Sequence, residues 1–140
     1  MMNKLLIVLG LSLLGQVLLA QNYDITIEIT GFKSHSGNCI VTLFDNSHCF
    51  SANDKGISQV KKAITKAKTC TVTFKNIPKG NYAIIAFHDE NTDGALNRNL
   101  LGMPKEGVGN SNNHKGKPSF EKSRFILLAN RSVKIEIKYQ

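Results

Sequence analysis

From about residue 21 onward the chain predicts an all-β fold: a single seven-stranded Greek-key sandwich, immunoglobulin-like or transthyretin-like, with a long ordered loop before the last two strands. Three observations predict it. Apolar and polar residues alternate in short runs, the signature of a half-buried strand. Turn-forming Gly, Asn, Asp and Pro separate those runs. No segment holds a helical repeat that a strand reading cannot also accommodate.

Ile25, Ile27 and Ile29 alternate with Thr26, Glu28 and Thr30 and put three isoleucines on one face of a first strand. After a loop from Gly31 to Gly37, Cys39, Val41 and Leu43 form the next inward set, with Ile40 and Phe44 opposite and an end at Asp45. Residues 47–56 are polar except for Phe50, expected to plug the end of the sandwich. Ile57 to Lys68 is ambiguous: Val60 and Ile64 suit a helix face, yet they also suit an edge strand guarded by lysines, and the strand is favoured. Cys70, Val72 and Phe74 alternate with Thr71, Thr73 and Lys75. A turn at residues 76–80 leads into Tyr82 to Phe87, Tyr-Ala-Ile-Ile-Ala-Phe, whose continuous apolarity marks a central strand buried on both faces. Pro78 and Gly80 ahead of Tyr82 suggest a corner locked by the tyrosine hydroxyl. Phe125 to Leu128 and Val133 to Tyr139 close the sandwich around a turn at 129–132. Asn130-Arg131-Ser132 in that turn is formally a glycosylation sequon, though Asn is also an ordinary turn residue.

The N-terminus reads differently. Lys4, an apolar run from Leu5 to Leu14 and a small residue at Ala20 describe a secretory signal peptide over residues 1–20, leaving one β-sandwich domain at 21–140. An uncleaved membrane anchor is the rival reading, but the stretch is interrupted by Ser12, Gly15 and Gln16 and only just reaches spanning length, so no transmembrane span is expected after cleavage, and export to the periplasm or the medium is the expectation. About 120 residues suffice for one core. Without Lys4, 17 basic residues face 10 acidic ones, a formal charge of +7. The basic residues are scattered and lack an aromatic-studded stripe, which argues against nucleic acid and leaves a cell-surface or extracellular glycan or protein as the partner class.

Cys39, Cys49 and Cys70 are odd in number and form no Cys-x-x-Cys pair. Cys39 and Cys70 head apolar alternations and read as small buried hydrophobes, with a Cys39 to Cys70 bridge as the competing reading. His35, His48, His88 and His114 have no recognised zinc spacing.

The sharpest chemical signal is His88-Asp89-Glu90-Asn91-Thr92-Asp93-Gly94 with Asn97. Oxygen side chains at Asp89, Asn91, Asp93 and Asn97 follow the first half of a calcium loop, with Gly94 permitting the turn and Ala95 offering a carbonyl. The twelfth loop position is Leu100, where a bidentate carboxylate would normally stand, so Glu106 or Glu90 is needed to complete the shell. The donor set thus comprises Asp89, Asn91, Asp93, Asn97 and Glu106, with calcium as the only cofactor suggested and an affinity of about 0.1–1 mM. An Asx-rich turn without an ion explains the same residues.

These residues sit in a stretch of more than thirty without apolar periodicity, between Phe87 and Phe125. Leu96, Leu100, Leu101, Met103, Val108 and Phe120 supply anchors for an ordered loop. His88, Gly94, Asn112 and Asn113 are read as its organisers. His88 with Asp89 or Glu90, and Ser111 as nucleophile, is the enzymatic alternative, a small hydrolase. Against it, adjacent strand residues point to opposite faces. Asn110 to His114 offers amides for a glycan or protein ligand without metal, although those amides also suit the loop's own backbone.

His88-Asp89-Glu90-Asn91, Asp93-Gly94, Leu101-Gly102-Met103-Pro104-Lys105-Glu106-Gly107, Ser111-Asn112-Asn113 and Pro118-Ser119-Phe120 closely resemble the bacterial exported family catalogued as domain of unknown function 2141. The resemblance extends over nearly all of residues 21–140, through Ile77-Pro78, Gly80 and Tyr82-Ala83 to the closing Ile135 to Tyr139. It implies an exported bacterial β-sandwich without an established activity. Asn97 replaces an Asp common in the family, and Val108-Gly109-Asn110 replaces a common Tyr-Gly-Phe. The first change removes an anionic oxygen, the second aromatic surface. The resulting expectation is a non-enzymatic, exported binding or structural module, stabilised by calcium.

Overall fold

A computed structural model describes residues 19–140, so the predicted leader lies outside the described residues except for its last two positions. In chain order the elements are β1 (Asn22–Thr30), β2 (Asn38–Phe44), β3 (Ser58–Ala63), β4 (Cys70–Pro78), β5 (Gly80–Asp89), β6 (Val108–Asn110), α1 (Phe120–Ser123), β7 (Phe125–Leu127) and β8 (Arg131–Glu136). The fold is all-β in two sheets. The first has the order β4-β1-β8, the second β3-β2-β5-β6, with β7 also paired to β5.

Central β1 runs antiparallel to β4 (Ile27 opposite Val72) and parallel to β8 (Ile27 opposite Val133). Its three isoleucines are fully buried, while Glu28 is exposed, as the two-residue period dictates. Across from them, Cys39, Val41 and Leu43 of β2 and Tyr82, Ile84 and Ala86 of β5 complete the interior between the sheets. The Tyr82 hydroxyl donates to the Pro78 carbonyl at 2.8 Å, which ties the β4–β5 corner to the core strand. β3 is the edge strand anticipated for the ambiguous segment, with Lys61 and Lys62 exposed along it.

The two sheets are not equivalent. The outer face of the first is wet, whereas the outer face of the second carries a further apolar layer of Ile40, Phe44, Ala83, Ile85 and Phe87. Ala52, Leu96 and Phe120 from the long loops cover that layer, with Phe50 and Val108 packed beside them. Burying one such large side chain stabilises by about 1.5–3 kcal/mol, enough to hold a loop of mainly polar residues against the sheet. This layer accounts for the two-sided burial of β5, and it corrects the expected role of Phe50. Phe50 packs edge-on against Phe44 and Phe120, with ring centroids at 5.0 and 5.9 Å, on the outer face and not at the end of the sandwich. Phe44 points outward because it lies one residue beyond inward Leu43.

Among the described residues the strand count is eight, not seven. Inside the long loop, Val108–Asn110 pairs with Ile85 to Phe87 of β5, and three residues with a central Gly are too few to show an alternation. Val108 also exchanges backbone hydrogen bonds with Lys138, at 2.9 and 3.0 Å, and so joins one sheet to the C-terminal segment of the other. Here Gly109 is needed for close approach, since a Cβ there would stand 2.8 Å from the Glu136 carbonyl oxygen. The last strand ends at Glu136, short of the expected Tyr139, because this crossing diverts the chain. A one-turn helix, α1, capped by the Ser119 hydroxyl, interrupts the loop near its end. No helix among the described residues is long and apolar enough to cross a membrane.

Candidate functional site

β5 ends with two buried polar residues whose directions follow from the strand period. His88 points inward and Asp89 outward, and both are fully buried. His88 Nε2 lies 2.6 Å from the Ser36 carbonyl, which can only accept, so Nε2 carries the proton. In the neutral ring Nδ1 is then the acceptor for the Tyr139 hydroxyl at 2.7 Å, and Tyr139 oxygen in turn accepts the Lys33 backbone N–H at 3.2 Å. Phe32 packs edge-on against the imidazole. Burial is the main reason that the Tyr139 hydroxyl titrates above its ordinary range. With both nitrogens occupied and no solvent exposure, His88 ties the end of β5 to the 31–37 loop and the C-terminus. It does not contact the Asp89 or Glu90 side chains.

On the opposite face Asp89 opens the Asx-rich loop. Its Oδ2 accepts the Gly94 N–H at 3.0 Å, while its Oδ1 is buried without a hydrogen-bond partner. Asp93 accepts the Ala95 N–H at 2.9 Å and side-chain amide protons from Asn97 at 2.9 Å and Asn91 at 3.1 Å. Those bonds, the backbone one foremost, hold the Asp93 carboxyl below the usual carboxylate range. Asn91 Nδ2 also donates to Asn97 Oδ1 at 3.0 Å. Gly94, at φ +79°, makes the reversal.

The structure therefore brings Asp89, Asn91, Asp93 and Asn97 together, and Glu106 sits beneath them in a different role. Buried Glu106 accepts the Glu90 N–H at 3.0 Å and the Asn97 N–H at 3.1 Å, one per carboxylate oxygen, and so clamps both ends of the loop. Glu90 turns away to Lys33 at 2.9 Å. Leu100, at the twelfth loop position, is fully exposed at the apex of a tight turn beside Leu101, in which Arg98 pairs with Pro104. Among the described residues no three His, Cys, Asp or Glu side chains converge as a metal cluster. The loop centre is two carboxylates and two amides. Glu90, Glu106, Lys33 and Lys105, with Asn91 and Asn97, line a shallow pocket of about 340 Å³.

Asn112 and Asn113 are committed to protein backbone. Asn112 Nδ2 donates to the Lys122 and Arg124 carbonyls at 2.9 and 3.0 Å. Asn113, at φ +51°, imitates a strand rung on the edge of β8, accepting the Glu136 N–H at 2.8 Å and donating to the Lys134 carbonyl at 3.0 Å. Ser111 fills the gap between β6 and β7 along β5: its N–H donates to the Ile84 carbonyl at 3.0 Å, and its hydroxyl accepts the Ile84 N–H at 3.1 Å and donates to the Ser123 carbonyl. That hydroxyl is a piece of the sheet, held away from any substrate. Replacing Ser111 with Ala leaves a buried N–H and a buried carbonyl unpaired and is expected to lower stability by about 1–3 kcal/mol in urea unfolding. A loss below about 0.5 kcal/mol would contradict this assignment.

Two contributors gave no signal in the sequence. Asn53 reaches across from the 45–56 loop and pairs with Leu96 through both backbone groups, donating at 3.2 Å and accepting at 2.6 Å. Tyr139 stands fifty-one residues from His88.

Fold and site together define a two-sheet β domain with a covered outer face and an Asx-rich loop at the end of its central strand. The chain belongs to a family described as an uncharacterized protein conserved in bacteria, DUF2141, whose model matches residues 27–136. No curated protein and no solved structure matches it.

Proposed function

We propose that this is an exported, non-enzymatic binding or structural module, an immunoglobulin-like or transthyretin-like sandwich whose loop at residues 89–97 is stabilised by calcium. One observation carries the reading: the Asp89 carboxylate is fully buried and its Oδ1 has no hydrogen-bond partner, with a second carboxylate, Asp93, in the same loop. Two carboxylates in one short loop repel, and a buried unpaired oxygen costs about 1–3 kcal/mol or more if charged. A hard divalent cation relieves both penalties at once. Asn91 and Asn97 surround the pair, and turning each amide by half a rotation exchanges its nitrogen for an oxygen without moving the backbone. Glu106 holds the loop ends in place for this and is not itself a ligand in the reading. Two carboxylates and two amides correspond to the weak extracellular range, about 0.1–1 mM.

Calcium at 10 mM is then expected to stabilise the protein by about 1.4–2.7 kcal/mol, a rise of about 4–10 °C in melting temperature reversed by chelator. Asp89→Asn, which keeps the shape but removes the charge, abolishes that rise. An unchanged melting temperature at 10 mM calcium removes the ion from this reading and leaves the loop as a self-bonded turn.

A further inference from the structure

Cys39 and Cys70 belong to different sheets. Cys39 lies in β2, opposite Lys62 of β3 and His88 of β5, while Cys70 opens β4 opposite Ile29 of β1. Both are buried free thiols in the interior between the sheets, and the third, Cys49, is exposed. The connection between β3 and β4 brings the pair together. Thr65 and Thr69 close a turn, their backbone groups bonded at 2.9 Å, with Lys68 at φ +58°. The chain thus leaves one sheet and enters the other across a short gap. Lys62, the cross-strand partner of Cys39, reaches over that gap to the carbonyl of Thr71, the neighbour of Cys70, at 2.7 Å. The two thiols belong to the same buried core cluster on this side of the sandwich, and each perturbs the other's titration.

We infer that Cys39 and Cys70 form a disulfide site, a covalent tie between the two sheets made by exchange with a disulfide-bearing oxidant. A buried pair on facing strands, where Lys62 spans the gap between the sheets, has the placement that bridge formation requires, and the export proposed above, on which this point rests, would put the chain where such bridges persist. The order of the chemistry follows from the two environments. Neighbouring Cys39 and Lys62 lower the Cys70 thiol, whereas Cys70 and burial raise Cys39, so Cys70 is the nucleophile. Cys70 attacks one sulfur of the oxidant RS–SR, forming a mixed disulfide and releasing RS⁻. Cys39, losing its proton to solvent or to the released RS⁻, then attacks the Cys70 sulfur and expels the second RS⁻. Two protein thiols lose two electrons and two protons, and the oxidant becomes two RSH. Because both sulfurs are buried, exchange takes place while the chain folds or when edge strand β3 opens. Cys49 is left as the odd free thiol.

The test is to unfold and reduce the full chain, refold it with oxidised glutathione, then alkylate under denaturing conditions and map peptides. The expected result is one alkylated thiol, at Cys49, a linked Cys39–Cys70 peptide, and a melting temperature about 10 °C above that of the reduced protein. In a Cys39→Ala, Cys70→Ala double variant the oxidant leaves the melting temperature unchanged. Three alkylated thiols, a bridge to Cys49, or a linked protein no more stable than the reduced one would overturn the inference. The wild-type peptide map decides even where the double variant fails to fold. This outcome is independent of the calcium titration.

Discussion

Replacing His88 with Ala is expected to destabilise the protein by about 3–5 kcal/mol, among the largest losses available to a single polar residue here. Two effects add. The fully buried imidazole leaves a cavity against Phe32, and two of its neighbours lose their partner: the Ser36 carbonyl and the Tyr139 hydroxyl. Each buried polar group left unpaired costs about 1–3 kcal/mol, and the lost ring adds a term of similar size. The Tyr139 hydroxyl keeps its contact with the Lys33 N–H, which limits its share. Urea unfolding monitored by far-ultraviolet circular dichroism measures the loss. A loss under about 1 kcal/mol would mean that the Lys33-Tyr139-His88-Ser36 chain is incidental, and a turnover abolished by His88→Ala in an intact fold would restore a catalytic role.

Gly37→Ala is the second large effect, expected to cost about 2–5 kcal/mol and to loosen the candidate cation loop at the same time. Gly37 stands at φ +72°, and a Cβ there would press into the carbonyl of Asp89 and lie 2.9 Å from the Glu90 Cα. Both obstacles are backbone, so no side chain can swing aside. The left-handed conformation accounts for about 1–2 kcal/mol and the overlap for the rest. Since the next residue, Asn38, pairs with Asp89, relief of the clash pushes the end of β5 away from β2. Amide hydrogen exchange should rise across residues 89–97 while β1 and β4 stay protected, and the calcium-dependent rise in melting temperature should shrink. A variant that melts within a degree of the wild type with unchanged exchange would show that the Gly37 contact does not hold the loop.

Legibility followed the range of the interaction. The all-β class, the inward set of β1, the double burial of β5 and the strand nature of β3 were readable because each rests on a two-residue alternation or its absence. The Asx pattern at residues 89–97 was readable for the same reason, its bonds linking residues two to six apart. β6 was not, because Val-Gly-Asn becomes a strand only where Ile85 to Phe87 offers an unpaired edge. Phe50 was placed at the wrong surface because apolarity says that a side chain is covered, not which of two layers covers it. Glu106 entered the donor set because its charge was visible, whereas the N–H groups of Glu90 and Asn97 that it accepts were not.

By itself the sequence determined which of the longer segments are strands, which of their faces are apolar, and where the oxygen donors and thiols lie along the chain. These follow from the backbone's fixed periods and from residue chemistry that acts over a few positions. Only the tertiary structure decided that the second sheet is covered on both faces, that His88 is tied to Ser36 and Tyr139, and that Cys39 and Cys70 share one core cluster. Those outcomes depend on which distant segments share a surface once loop closure and burial have been traded against each other, and no local period encodes that choice.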